Sequence, residues 1–387
     1  MLTAIQGRSR SIGFLLMWLP ALPILGSLVA CSDGGGGAVA SSVPPPVQHY
    51  AYVANTVDNA LSIYKVSAGT GKLEQLTTSG TMSVLPSISP TLVAVDPSNR
   101  FAYVANSGSH DVSAYSINMS TGALTFIGSA PAGLNPISVA VAPSGRFLYV
   151  ANQNGGVSAF RINATTGALT SVGPDVAAGG EPFSVIVDPT GRFVYVTSGH
   201  PANITNDVHA FSIDATTGAL TPIPVNPVVP APAIPVHITL HPSGKFAFVA
   251  SGISSSVSAY TISNTTGALT PVGTLPTGGT GPRAVAVEAS GRFAYVVNVG
   301  SNDVSIFSID ATTGALTPIP VNPVVPAPGT DARFIAVDPT GRFVYVTYFN
   351  SPHISTFSMN SVTGELTHLG TEPTGAGSVG ITVTNAL

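Results

Sequence analysis

Six charged side chains in this sequence are candidates for chemistry: Asp175, Glu181, Arg283, Asp331, Arg333 and Glu372. Arg283 and Arg333 could hold a carboxylate or phosphate through paired N–H donors. Glu181 or Asp331, set beside a bound acidic ester, could take a proton from water as general base. His237 opens an apolar run of the same kind as the one that carries Arg283, which makes it a further candidate for touching a substrate. No two histidines have metal-ligand spacing on one element, and no Gly-x-Ser-x-Gly or phosphate-binding loop is present, so neither a metal nor a cofactor is expected. His241 replaces an Asp that other units carry before a turn, while His200, His209 and His353 fall in or beside long loops.

These charges stand out because charge is scarce. Lys+Arg total 13 and Asp+Glu 17, 8% of 387 residues, against about 25% in an average soluble domain. Hydrophobic residues make up 44% and the mean hydropathy is +0.40. Yet 41 Gly and 33 Pro interrupt the chain, and beyond the first thirty residues no apolar run approaches the roughly 18 needed to span a bilayer. That excludes a polytopic helical membrane protein. Apolar content is too high and the net charge of −4 too small for a disordered chain. With a pI of about 6.0 and no run of Lys/Arg, the sequence carries no footprint for nucleic acid or anionic lipid.

The elements that must position the six are set by a repeat. Tyr-Val-Ala-Asn occurs at Tyr52, Tyr103 and Tyr149, with variants at Tyr195, Phe248, Tyr295 and Tyr345. A Thr-Gly-x-Leu turn follows each, with glycines at Gly71, Gly122, Gly167, Gly218, Gly267, Gly314 and Gly364, spaced 51, 45, 51, 49, 47 and 50 residues apart. Residues 211–232 and 307–328 are identical. Within each unit, short runs rich in Val, Phe, Tyr and Ile alternate with Pro-x-Gly and Thr-Gly turns, which predicts four antiparallel strands, a to d. Seven such units predict an all-β, seven-bladed propeller over residues 48–387. The first unit lacks strand a, and the final run Ser378 to Thr384 has no strand after it. The C-terminal strand is therefore expected to complete the first blade and close the ring.

Residues 1–31 have the form of an export signal, with Arg8 and Arg10 before an apolar stretch and Leu28-Val29-Ala30-Cys31 at its end. Cys31, the only cysteine, stands where a lipobox places the lipidated thiol. Residues 32–47, rich in Gly, Ser and Pro, then read as a flexible tether. The expectation is an exported domain, lipid-anchored to the bacterial cell envelope, touching membrane only through its lipid, binding no nucleic acid and monomeric.

Strand polarity puts the d–a and b–c connections on one face and the a–b and c–d turns on the other. The first face varies in length between units, which is where function sits on a rigid scaffold. Both copies of Pro-Ile-Pro-Val-Asn-Pro-Val-Val-Pro-Ala-Pro are expected there as stiff rims without hydrogen bonds, and Glu372 in a d–a connection. Asp96, Asp188, Glu288 and Asp338 recur in the a–b turn, Asp58, Asp111, Asp207 and Asp303 in the b–c loop, and Asp214 and Asp310 in the c–d turn; all are read as turn-formers. Arg100, Arg146, Arg192, Lys245, Arg292 and Arg342 each open strand b. Arg283 and Arg333 instead begin inner strands of adjacent blades, where other units carry Thr91, Ile137, Phe183 and Val236. Pairing of these arginines with Asp331 or loop carbonyls is the alternative to ligand binding.

The unit Pro-Ile-Ser-Val-Ala-Val-Ala-Pro-Ser-Gly-Arg-Phe-Leu-Tyr-Val-Ala-Asn, with Val-Ser-Ala-Phe and Thr-Gly-Ala-Leu-Thr after it, resembles the seven-bladed propeller lactonase family over residues 48–387. That family includes propeller-type 6-phosphogluconolactonase and fungal muconate cycloisomerase. Gly281-Pro282-Arg283 resembles its Gly-Pro-Arg-His approach to an inner strand. The resemblance implies a site with a His topping the third inner strand, an Arg topping the fourth, a Glu ending the fourth blade's strand b, and a second Arg topping the sixth. Counting strands puts Phe183, Val236 and Gly252 in the first three places and Arg333 in the last. Aligning Arg283 with the first Arg instead gives it Val236 and Val299 as partners. The resemblance thus implies a hydrolase acting on an acidic sugar-type lactone. The strand b motif also resembles Tyr-Val-Thr-Asn surface propellers, which implies a non-catalytic envelope propeller binding a polysaccharide or protein.

Overall fold

The computed structural model describes residues 48–76, 82–83, 88–199, 206–226 and 228–384. The export signal, Cys31 and the tether lie outside the described residues, as does His200. Seven antiparallel sheets are present, four of four strands and three of five. The inner strands, one per blade, are Pro90–Val95, Pro136–Val141, Pro182–Val187, Pro235–Leu240, Pro282–Val287 and Ala332–Val337 for blades 2 to 7, with Ser378–Val383 completing blade 1. This last strand pairs antiparallel with His49–Asn55, setting Ile381 opposite Val53. The ring is thus closed by its two ends, as the repeat predicts.

Strand b is buried along its whole length in every blade, as in Phe147–Asn152, because each blade is packed between two others. The core is a set of inter-blade layers, one of which joins Tyr295, Val297 and Ile306 to Ile335, Val344 and Val346. The repeat residues latch each layer. Tyr52, Tyr103, Tyr149, Tyr195, Tyr295 and Tyr345 each donate a buried hydroxyl to the Thr-Gly turn carbonyl of the next blade, as from Tyr149 to Gly218 at 3.0 Å. The glycine is required there: Gly218 has φ +83°, and a Cβ on it would overlap the Phe147 ring. Gly218→Ala is therefore expected to cost about 2–4 kcal/mol from a strained backbone and an overpacked contact. Gly173→Ala, where an added Cβ meets nothing within 4 Å, should be near neutral, and denaturant unfolding of the two variants checks the difference.

The strand b arginines reach forward in the same way. Arg100 donates to the Ala164 carbonyl at 2.7 Å and Arg146 to the Ala215 carbonyl at 3.2 Å, each guanidinium lying about 5 Å from its neighbouring Phe ring. Asp96, Asp188 and Asp338 accept the backbone N–H of the strand b phenylalanine at 2.6, 2.7 and 2.7 Å. These charges hold turns and blades together.

Two expectations are corrected. The repeated Pro-rich segments are hydrogen-bonded: Val228–Pro230 and Val324–Pro326 pair with strand c of blades 4 and 6, so each segment is an outer strand interrupted by a short excursion. Glu372 lies within the outer strand Leu366–Pro373, opposite Ile354, and not in a connection.

Candidate functional site: the mouth of the central channel

In every blade the register between strands a and b slips at the same place. Pro136 faces Asn152 and Ser138 faces Ala151, so Ile137 has no partner. The equivalent unpaired residues are Thr91, Phe183, Val236, Arg283, Arg333 and Val379. A bulge re-aims the side chain of its extra residue, and here all seven line one cavity of about 120 Å³ together with Leu92, Ser138, His237 and Phe334. The bulge is what turns Arg283 and Arg333 toward the channel.

The two arginines are not equivalent. Arg333 is engaged twice: its Nε lies 2.7 Å from Asp331 Oδ1, with side-chain exposures of 31% and 16%, and its Nη2 donates to Asp331 Oδ2 at 2.9 Å. Its guanidinium also lies 4.9 Å from the Phe349 ring centroid. Asn350 Nδ2 donates to Asp331 Oδ2 at 3.2 Å. Arg283, on the neighbouring blade, has no hydrogen bond or ion pair among the described residues. Burial foremost, then the Arg333 charge, pushes its pKa down to about 10, so it remains a cation at neutral pH.

His237 fills a structural position as well as lining the cavity. Ser138 and Ser184 accept backbone N–H groups of the next blade, from Val185 at 3.2 Å and Ile238 at 3.5 Å. His237 Nδ1 takes the same role toward Val285 N–H at 3.4 Å. An accepting Nδ1 leaves the proton of the neutral ring on Nε2. The ring packs edge-on against Phe334 at 5.3 Å. Burial, and secondly Arg283, push its pKa from 6.5 down to about 4. The unfolded chain therefore binds this proton at a pH where the folded chain does not, and stability falls as pH drops from about 6.5 toward 4. By this pKa difference the loss reaches on the order of 3 kcal/mol at most. His237→Ser should flatten this part of the stability-versus-pH curve, as read by denaturation midpoints between pH 7 and 4.

The sequence candidates separate on inspection. Arg283, Arg333 and His237 come together at the cavity, and Asp331 joins them through Arg333. Glu181 and Asp331 occupy equivalent positions just before an inner strand. Their carbonyls accept from Gly199 and Phe349 N–H at 3.1 and 2.9 Å, a bond that recurs in all seven blades. Glu181 lies in blade 4, three blades from Asp331, and accepts from Gln153 Nε2 at 3.3 Å. Asp175 binds Ser158 Oγ at 2.7 Å and Asn152 Nδ2 at 3.3 Å. It replaces the Asp that opens strand c elsewhere, such as Asp111 with Asn106 at 2.9 Å, because blade 3 has Gly156 there. Glu372 meets Lys72 at 3.9 Å on the outer rim. Phe349 and Asn350, which fix Arg333 and Asp331, carry no repeat signal that would single them out in sequence. The bulge is foreshadowed only by the Pro before the channel residue in five inner strands.

Carboxylates outnumber cations on the loop face only. There Arg283 and Arg333 stand among Asp58, Asp111, Asp175, Glu181, Asp207, Asp303 and Asp331, whereas on the turn face the strand b cations are matched by Asp96, Asp188, Glu288, Asp338, Asp214 and Asp310. Among the described residues no three His, Cys, Asp or Glu are grouped to hold a metal ion.

Known proteins place this architecture. The structure is similar to a candidate 6-phosphogluconolactonase from Bacteroides fragilis, at 18% identity over 89% of this chain and 99% of that one, with TM-score 0.75. It is equally similar to the periplasmic gluconolactonase of Pseudomonas aeruginosa, at 20% identity over 88% and 100%, TM-score 0.75. At such identities the likeness is one of fold. No curated protein matches the sequence. The family model described as lactonase, 7-bladed beta-propeller, matches residues 43–187 and again 185–331. The chain belongs to the seven-bladed β-propeller lactonase family.

Proposed function

We propose that this chain is an exported, lipid-anchored lactonase whose working site is the channel mouth, where it binds and hydrolyses a lactone bearing an acid group. The observation that carries this reading is Arg283, a cation turned by a bulge into a cavity and left without a protein partner. Such a group gains most from an anionic ligand or from the negative charge that develops on an ester carbonyl oxygen during attack. His237 Nε2–H is a second donor at the same cavity. Asp331 is the carboxylate nearest the cavity cations and serves as the general base once an anionic ligand draws Arg333 toward itself, because in the resting pair Oδ1 is buried and Oδ2 accepts from both Arg333 and Asn350. Water addition opens the ring ester to a hydroxy acid, which leaves by the open mouth.

The engagement of both candidate carboxylates, Asp331 by Arg333 and Glu181 by Gln153, supports a second reading, an envelope propeller that binds an acidic partner without turnover. A panel of lactones offered to the purified mature chain separates the two. Hydrolysis that disappears in Arg283→Ala supports the enzyme; calorimetric binding of the acids with no hydrolysis of any lactone supports the binding protein. The anchor is tested independently: Cys31→Ala should move the protein from the membrane fraction to the soluble fraction and remove the lipid mass from its N-terminal peptide.

A further inference from the structure

We infer that the channel mouth selects a monocarboxylate with an apolar body over phosphorylated or polyhydroxylated acids. The inference rests on the mouth being the working site, as proposed above, and refines the sugar-type substrate that the family resemblance implies.

Charge sets the first limit. Of the two cations at the cavity, Arg333 is neutralised by Asp331 in a two-point pair, which leaves Arg283 to meet a ligand. One free guanidinium matches one carboxylate in a paired geometry. A second negative charge would find no counter-charge and would approach through a face where carboxylates outnumber cations, a penalty that grows with the ligand's charge.

Hydrogen bonding sets the second limit. The rest of the cavity wall is apolar apart from Thr91, Ser138 and His237: Val236 and Val379 flank the arginines on the two neighbouring blades, Ile137 and Phe183 lie across the ring, and Leu92 and Phe334 also line the cavity. Its few polar groups are partly engaged by the backbone. Thr91 Oγ1 donates to the carbonyls of Ala105 at 3.1 Å and Pro136 at 3.3 Å, Ser138 Oγ accepts from Val185 N–H, and His237 Nδ1 accepts from Val285 N–H. What remains for a ligand is Arg283, the His237 Nε2–H, the Ser138 O–H and the Arg333 N–H groups that Asp331 does not take, a set made of donors and suited to one carboxylate. A polyol acid would press its hydroxyl groups on hydrocarbon, losing about tenfold in affinity for each one left without a partner. An aryl or branched aliphatic body would instead bury its surface against Phe183, Val236 and Phe334.

Calorimetric titration of the full mature chain with phenylacetate, gluconate and gluconate 6-phosphate tests this. Phenylacetate should bind at least tenfold tighter than either sugar acid. Arg283→Gln should abolish its binding, and Phe183→Ser should weaken it about tenfold with the melting temperature little changed. Stronger binding of gluconate 6-phosphate, or equal binding of all three, overturns the inference, as does phenylacetate binding that survives Arg283→Gln. The outcome is separable from the lactonase proposal. Tight phenylacetate binding without hydrolysis of any lactone would sink the enzyme and leave the ligand class standing, while efficient hydrolysis of a phosphorylated sugar lactone would do the reverse.

Discussion

Arg283→Ala is expected to lower kcat/KM on a responsive acidic lactone by about 10²–10³-fold, the cost of losing one donor group aimed at developing or resident negative charge in a sheltered site. The same substitution is expected to leave the melting temperature unchanged or raise it. Arg283 makes no hydrogen bond or ion pair within the described protein, and its pKa is held down to about 10 by burial and by Arg333, so the folded state bears a desolvation cost that the Asp331 charge offsets only in part. Activity down and stability up is the signature of a residue kept for a ligand. Arg333→Ala should behave in the opposite sense for stability, because it strands the Asp331 carboxylate and removes the stacking on Phe349. Arg283→Lys separates charge from geometry: a compact ammonium keeps the attraction and loses the two-pronged donor, so it should recover only part of the lost rate. Steady-state kinetics and thermal melts on the three variants check the pattern. A fall in both rate and melting temperature for Arg283→Ala would make it a structural residue and remove the basis of the site.

The repeat made the architecture legible and hid half of the site. Blade number, strand order and ring closure follow from the spacing of seven Thr-Gly turns and from an orphan strand at Ser378, because these are features of local backbone chemistry that recur. The functions of the recurring charges followed equally well: Asp96 and Arg100 do in blade 2 what Asp338 and Arg342 do in blade 7. Singling out Arg283 and Arg333 as the charges that break the pattern in the inner strands also succeeded, since a one-residue departure from a seven-fold pattern is visible in the sequence itself. What could not be read was the difference between the two arginines. It depends on what stands at the left-handed position before each inner strand, a conformation that Asp331 at φ +61° shares with Ser89, Asn135, Ile234, Gly281 and Gly377: in blade 7 that position carries a carboxylate that meets Arg333, in blade 6 a glycine, and only in blade 7 does Phe349 arrive beside the guanidinium. The same limitation misplaced Glu372 and the Pro-rich segments. A short Val-Val-Pro run after an excursion pairs with strand c because tertiary geometry brings it there, against the low strand propensity of its proline-rich flanks. Asp175 shows the converse: it departs from the repeat in sequence yet restores the repeat in space, replacing a side chain that Gly156 lacks.

Deletion of residues 378–387 is expected to produce the largest stability loss of any change short of a core truncation, more than about 5 kcal/mol, or roughly 10 °C in melting temperature, with much of the protein insoluble. The strand Ser378–Val383 supplies the whole inner edge of blade 1. Ile381 is 1% exposed and packs with Val53, Phe343 and Tyr345 between blades 1 and 7. Ser378 Oγ donates to Asn55 Oδ1 at 2.8 Å, and Thr384 receives Tyr50 N–H at 2.9 Å on its hydroxyl and lies 3.0 Å from His49 Nδ1 through its carbonyl. Removing the strand therefore opens an apolar layer and exposes the row of backbone N–H and C=O groups along His49–Asn55, a template for pairing with other chains. The single substitution Ile381→Ala should cost about 2–4 kcal/mol through the cavity it leaves, which grades the packing share of the effect. A synthetic peptide of residues 378–387 added to the truncated protein should restore solubility and part of the melting temperature if closure alone is missing. A truncated chain that melts with the full-length protein would mean that six blades and a four-stranded remnant of the first hold the ring unaided. In that case Val379 could leave the channel wall without disturbing Arg283, and the mouth would not depend on closure for its shape.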